Sequence, residues 1–267
     1  MRNRALLALL LAAAPLGAAT KVLVTVTEQK SGNPVAGLTA ADFAVFDDKT
    51  QRAVESAEFT RDTLDIMLLL DTSLAGPVVQ PLAETFVAQL QPKEQMAVVS
   101  FHSSADLIQD FTSSRELLMR SISRVKYGNE PHVLDALFAA IDGGFQSSSF
   151  RRVILLLTAG IEGYSRTDER DVIRLARRNQ VSIYPVYAAG RERALFELLA
   201  RQTGGASFNM RDMKKAGGTD QPGPRVFSVV RGHYTLTVAS GNLGLGEKLR
   251  VEVRRPDKLL VSALPLE

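Results

Sequence analysis

Two kinds of apolar pattern follow one another along the chain, and their order predicts its layout. From Lys21 the residues alternate, with Val22, Val24 and Val26 on one face and Leu23, Thr25 and Thr27 on the other. A period of two is that of a strand with one buried face. A turn at Lys30-Ser31-Gly32-Asn33-Pro34 follows, then short strand-like pieces at Ala44 to Phe46 and Val54 to Phe59. The pattern then changes to continuous apolar runs at Asp65 to Leu70, Met96 to Phe101, Val153 to Leu157 and Val181 to Val186. Such runs mark strands buried on both faces of a parallel sheet. Helical periods lie between them. Val78, Leu82, Phe86 and Leu90 recur at every fourth residue, and Ser113-x-x-Glu116 reads as a capping box opening a helix over Arg115 to Val125. Further helices are predicted at Val133 to Ile141, Asp168 to Arg178 and Glu192 to Arg201. This alternation predicts an α/β fold with a doubly wound, mostly parallel sheet covered on both sides.

After Phe208 the stretch Arg211 to Pro224 is polar, rich in Gly and Pro, and without period, which reads as a linker. Alternation returns over Phe227 to Val238, Lys248 to Arg254 and Leu259 to Ala263, with a Gly-rich turn at Ser240 to Gly246. Each terminal β segment offers about three short strands and one apolar face, which is marginal alone. The two are therefore expected to pack together as an accessory β-sandwich-like domain. The predicted division is a leader at 1–19, a β segment at 20–62, the α/β domain at 63–210, a linker at 211–224 and a second β segment at 225–267.

The leader rests on Arg2 and Arg4, the apolar run Ala5 to Ala14, Pro15, and the small residues Gly17-Ala18-Ala19. That is the layout of a secretory signal cleaved near Ala19, and the run is about half of what a membrane-spanning helix needs. The expected mature chain is periplasmic or secreted, with no transmembrane segment. Loss of Arg2 and Arg4 leaves 30 basic against 29 acidic residues, so charge gives no reason to expect a nucleic acid partner. Cysteine and tryptophan are absent, which excludes disulfides, thiolate metal sites and thiol nucleophiles.

In an open α/β sheet ligands collect at the carboxyl ends of the strands. After the first apolar run stands Asp71-Thr72-Ser73-Leu74-Ala75-Gly76, and this loop resembles the Asp-x-Ser-x-Ser loop of the von Willebrand factor type A (vWA) family. In that family the loop, a threonine before the third helix and an aspartate after a later strand hold a divalent cation, in the metal-ion-dependent adhesion site. Thr203-Gly204-Gly205 and the preceding Leu198-Leu199-Ala200 are similar to the family's closing segment. Val35 to Phe43 and the strands from Tyr234 to Ala263 resemble the opening and ending of a secreted bacterial vWA-related subfamily. The resemblance implies a Rossmann-like vWA fold and a non-enzymatic, protein-binding or scaffolding role.

The cation site departs from the family pattern. Asp71 and Ser73 match, but the second serine position is Ala75, the threonine position falls on Pro131, and the family's Thr-Asp-Gly is Thr158-Ala159-Gly160. Mg²⁺ needs about six oxygens and Ca²⁺ six to eight. The expectation is a vestigial site without cofactor or metal, with Asp71 and Ser73 bonding backbone N–H groups near the next helix. The alternative is adhesion through weakly held Mg²⁺ or Ca²⁺ at Asp71 and Ser73, completed by partner and water; a rebuilt site would instead call on His132, whose nitrogen suits a transition metal better, and on Glu162, whose loop would have to fold back.

A serine hydrolase using Ser73, Ser103 or Ser104 with His102 and Asp71 is a third reading, without a Gly-x-Ser-x-Gly elbow to support it. His233 stands far from the other histidines in sequence. Arg174, Arg177 and Arg178 read as one solvated helix face, and Asp42, Asp47 and Asp48 as turn residues.

Overall fold

The chain builds β1 (Thr20–Glu28), β2 (Phe43–Asp47), β3 (Thr50–Arg61), β4 (Leu64–Asp71), α1 (Gln80–Val87), β5 (Gln95–Phe101) and β6 (Ala105–Thr112). There follow α2 (Arg115–Ile122), α3 (Val133–Gly144), β7 (Arg151–Thr158), α4 (Glu169–Arg178), β8 (Ser182–Tyr187), α5 (Arg193–Gln202) and β9 (Phe208–Asn209). The last elements are α6 (Met210–Lys215), α7 (Pro222–Arg231), β10 (Gly232–Ala239), β11 (Leu249–Val253) and β12 (Leu259–Leu266). The computed structural model describes residues 19–146, 148–215, 222–239, 243 and 246–266. The expected leader, Ala19 apart, lies outside the described residues, as do 216–221 of the expected linker and most of the turn at 240–246. Among the described residues no helix is long and apolar enough to cross a membrane.

The continuous apolar runs become a six-stranded sheet of order β6-β5-β4-β7-β8-β9, parallel except for β6, which runs antiparallel to β5. Alternate side chains of these strands feed two cores. Ile66, Leu68 and Leu70 of β4 meet Phe86 of α1, Leu118 of α2 and Phe227 of α7 on one side. Met67 and Leu69 meet Leu137 of α3, Val172 of α4 and Leu199 of α5 on the other. Each such side chain contributes about 1.5–3 kcal/mol of burial, which is why these strands carry no polar face. From β4 the sheet grows one way to β5 and β6 and the other way to β7, β8 and β9. The loops after β4 and β7 leave toward opposite faces and open a crevice between them.

The terminal β segments share one antiparallel sheet of order β11-β2-β3-β10-β1-β12. It differs from the expected two-layered sandwich. A single sheet curls around a core of Val22, Val24, Phe43, Tyr234 and Leu236, bringing its edge strands β11 and β12 near each other. The twelve-residue β3 turns the corner, since its first residues pair with β2 and the rest with β10. The outer face of this sheet lies on the end of α5. The Thr25 hydroxyl donates to the Gly204 carbonyl at 2.8 Å and the Ser262 hydroxyl to that of Gly205.

Four local expectations are corrected. The polar stretch 211–224 is not a plain linker, because α6 occupies its start and α7 begins at Pro222. The strand expected from Phe227 begins only at Gly232, and the preceding residues are helical. Val226, Phe227, Val229 and Val230 close the first core as one helix face, so burial overrides the strand preference of a β-branched run. The cap of α2 is Ser114, whose hydroxyl accepts the Leu117 N–H, and not Ser113. Arg177 is buried, with its guanidinium turned to the Gln202 carbonyl at 2.8 Å, while Arg174 stays exposed beside Asp171.

Candidate functional site at the strand ends

Asp71 is the last residue of β4 and Thr158 the last of β7, so the crevice lies directly between them. Parallel pairing of the two strands brings the Asp71 carboxylate to the start of the next loop. One oxygen accepts the Ser73 N–H at 2.9 Å. The other accepts the Thr158 hydroxyl and the Ala159 N–H, each at 2.9 Å. Asp71, Ser73 and Thr158 are fully buried. All three donors are neutral groups of the protein itself, two backbone N–H groups and one hydroxyl.

The remaining groups are turned to the protein itself. The Ser73 hydroxyl accepts the Ala75 N–H at 3.3 Å. The Pro131 carbonyl accepts the Gly163 N–H at 2.7 Å. Ala75 and Ala159 present methyl groups where the resemblance expects oxygens. Gly76 makes the loop possible, since a Cβ there would stand 2.3 Å from the Asp71 carbonyl oxygen. Against Gly76 packs the ring of Tyr127, whose hydroxyl is buried; burial and the nearby Asp71 charge push its pKa up. The sequence places Thr158 just after the apolar run Val153 to Leu157 without showing that its hydroxyl meets Asp71, and no pattern singles out Tyr127.

His132 and Glu162 come to the crevice edge in structural roles. The Glu162 carboxylate accepts the Val133 N–H at 2.9 Å, at the amino end of α3. Burial raises its pKa against these hydrogen bonds. His132 caps the same helix, with Nδ1 3.7 Å from Asp135. Among the described residues no group of three His, Asp or Glu is placed to hold a metal ion.

No hydrogen bond joins His102 to Ser73 or Asp71 among the described residues. Its Nδ1 accepts the Ser103 N–H at 2.7 Å and folds back on its own loop, with Ser104 at 3.3 Å. His233 lies at the other end of the sheet, with Nε2 3.2 Å from Asp62 and 3.1 Å from the Thr60 hydroxyl. Asp42, Asp47 and Asp48 serve turns: Asp42 caps at Thr39, Asp47 pairs with Arg52, and Asp48 has φ 55°.

A doubly wound sheet with its polar crevice at the topological switch point defines a Rossmann-like α/β domain whose ligand loops follow the strands. The chain belongs to the von Willebrand factor type A (VWA) domain family, whose model matches residues 65–221, more than half of its length. Among solved structures it is similar to proximal thread matrix protein 1 (PTMP1) from the mussel byssus with zinc occupied MIDAS motif. That likeness has a TM-score of 0.54 and 16% identity over 68% of this chain and 50% of that one. A second PTMP1 structure matches at 0.52 and 17% identity, over 74% of this chain and 50% of that one. An aerotolerance-related membrane protein from Bacteroides fragilis NCTC 9343 is similar at a TM-score of 0.44, with 13% identity over 57% of this chain and 94% of that one. The chain thus spans half the length of PTMP1, and at these identities the likeness concerns the fold. No curated protein matches closely enough to count as a relative.

Proposed function

We propose that the chain is an exported, non-enzymatic binding or scaffolding module of the VWA type that engages a protein partner through its strand-end loops without a bound cation. The observation that carries this reading is the state of Asp71: fully buried, with both oxygens committed to Ser73, Thr158 and Ala159. The residues present do not fit a divalent cation. Asp71 and Ser73 offer two side-chain oxygens against the six or more required, and Ala75, Pro131 and Ala159 add none. One Glu162 oxygen is engaged by the Val133 N–H at the amino end of α3, and the other is buried without a hydrogen-bond partner among the described residues.

The loops around the crevice carry apolar groups in place of a metal. Leu74 is 76% exposed and Tyr164 87%, and Val78, in the same β4–α1 segment as Leu74, is also exposed. These loops are tied together by backbone bonds from Leu74 to Asn129 and from Gly163 to Pro131. Exposed apolar side chains on a fixed rim are the chemistry of a protein contact surface. The curled terminal sheet is proposed as an accessory domain that braces α5, and the leader at 1–19 supports export to periplasm or medium.

Calorimetric titration of the purified chain with Mg²⁺, Mn²⁺ and Ca²⁺ tests the metal-free reading. No saturable heat is expected. Saturable binding abolished by Asp71→Ala would instead support metal-dependent adhesion through Asp71 and Ser73.

A further inference from the structure

On the side of the molecule away from the switch point, β6 closes the parallel sheet. It pairs with β5 and, among the described residues, with no other strand; the Asp110 carbonyl and the Phe111 N–H are met by the side chains of Gln109 and Asp110, so the part of the edge offered to a new strand is Ala105 to Leu107. An open edge is a template for another extended chain. Beside it runs a groove of about 360 Å³ between β6 and α3, floored by Met67 and Val99 of the core. Leu107 stands opposite Val99 and is therefore on the same face of the sheet, yet it is 59% exposed. The reason is α3, which presents Ala140 and Gly143 to the groove. A Cβ at Gly143 would meet nothing within 4 Å.

The charge around the groove has one sign. Asp110 lines the groove, Asp106 stands on the opposite face of the same edge strand and Asp142 on α3; all three are exposed, and neither element contains a lysine or arginine. Such an edge repels a second copy of itself, since like charges on adjoining strands destabilise pairing. It attracts a strand that carries positive charge.

We propose that β6 and this groove form a second docking surface, which takes up an extended, basic segment of a partner protein as an added strand. One apolar side chain of that segment seats between Leu107 and Gly143. The main chain supplies affinity and the groove supplies selection, as in other strand-addition modes. The register shifts in the β5–β6 pair leave regular pairing at Ala105, Asp106 and Leu107, so the added strand is short. This surface is distinct from the strand-end loops, and the two proposals stand or fall separately.

The test uses the full chain and a short, end-blocked, fluorescein-labelled peptide of alternating lysine and valine. Saturable binding is expected, with slowed amide exchange within residues 105–107 of β6. Gly143→Leu fills the groove and is a better helix former, so the variant folds; it is expected to weaken binding by about tenfold or more, roughly 1.4 kcal/mol. Asp110→Lys is expected to weaken binding, and a glutamate–valine peptide is expected not to bind. Absence of saturable binding, equal binding by Gly143→Leu, or exchange protection elsewhere than β6 would overturn the proposal.

Discussion

Two buried carboxylates, at opposite ends of the same sheet, are held in different ways. At the strand ends, Asp71 is surrounded by neutral donors. At the other end, Glu94 accepts the Arg231 guanidinium at 2.8 and 2.6 Å, and the Gln91 N–H at 2.8 Å. Arg231 also donates to the Gln89 carbonyl and lies over the Phe227 ring. The Glu94 pair joins α7 to the segment before β5 and is charge-balanced. The Asp71 bracket joins β4 to β7 through two backbone N–H donors and one hydroxyl, with no basic side chain among them. A carboxylate at a ligand crevice can therefore be a structural tie, and the identity of its donors decides which role it plays.

Substitutions separate the two ties. Glu94→Ala leaves a guanidinium that is 12% exposed without its partner and is expected to cost about 3–5 kcal/mol in urea unfolding. Asp71→Ala leaves three neutral donors buried and is expected to cost about 2–4 kcal/mol, with no dependence on added cation. If Asp71→Ala proved the larger loss, or were cation-dependent, the contrast between the two ends would fail.

The smallest effect concerns Glu162. Its folded pKa is raised above the ordinary 4.5, so the native state holds the proton more tightly than the unfolded chain. Its contribution to stability is full below that ordinary value and is lost as pH rises through the raised one. Glu162→Gln is expected to flatten the fall in stability over that window. An unchanged pH profile would place the proton elsewhere.

Most of the α/β frame is legible in the sequence because strands buried on both faces leave continuous apolar runs, as in β4 and β7. The pattern does not reveal β6, since an edge strand with Asp106, Leu107 and Asp110 all exposed has no clean alternation. It misreads α7 because Val226 to Val230 resembles a strand until its helical face is covered by α1 and the sheet. Asp71, Ser73 and Ala75 stand in the loop after one apolar run and Ala159 after another, whereas the place of Pro131 in the site comes from the family resemblance alone. The local part of the Asp71 bonding, to Ser73, follows from two-residue spacing. The contacts to Thr158 and Ala159 depend on the pairing of strands far apart in the chain, and no local pattern carries that information.

The central claim is that the Asp71 crevice is closed by its own hydrogen bonds and takes no cation. The most direct measurement is thermal unfolding with chelator and with millimolar Mg²⁺ or Mn²⁺. It compares the natural chain with a variant carrying Ala75→Ser, Pro131→Thr and Ala159→Asp. A cation bound only by the native state raises the unfolding midpoint. The account predicts the same midpoint in both media for the natural chain and a cation-dependent rise for the rebuilt one. A cation-dependent rise in the natural chain, lost in Asp71→Ala, would contradict it.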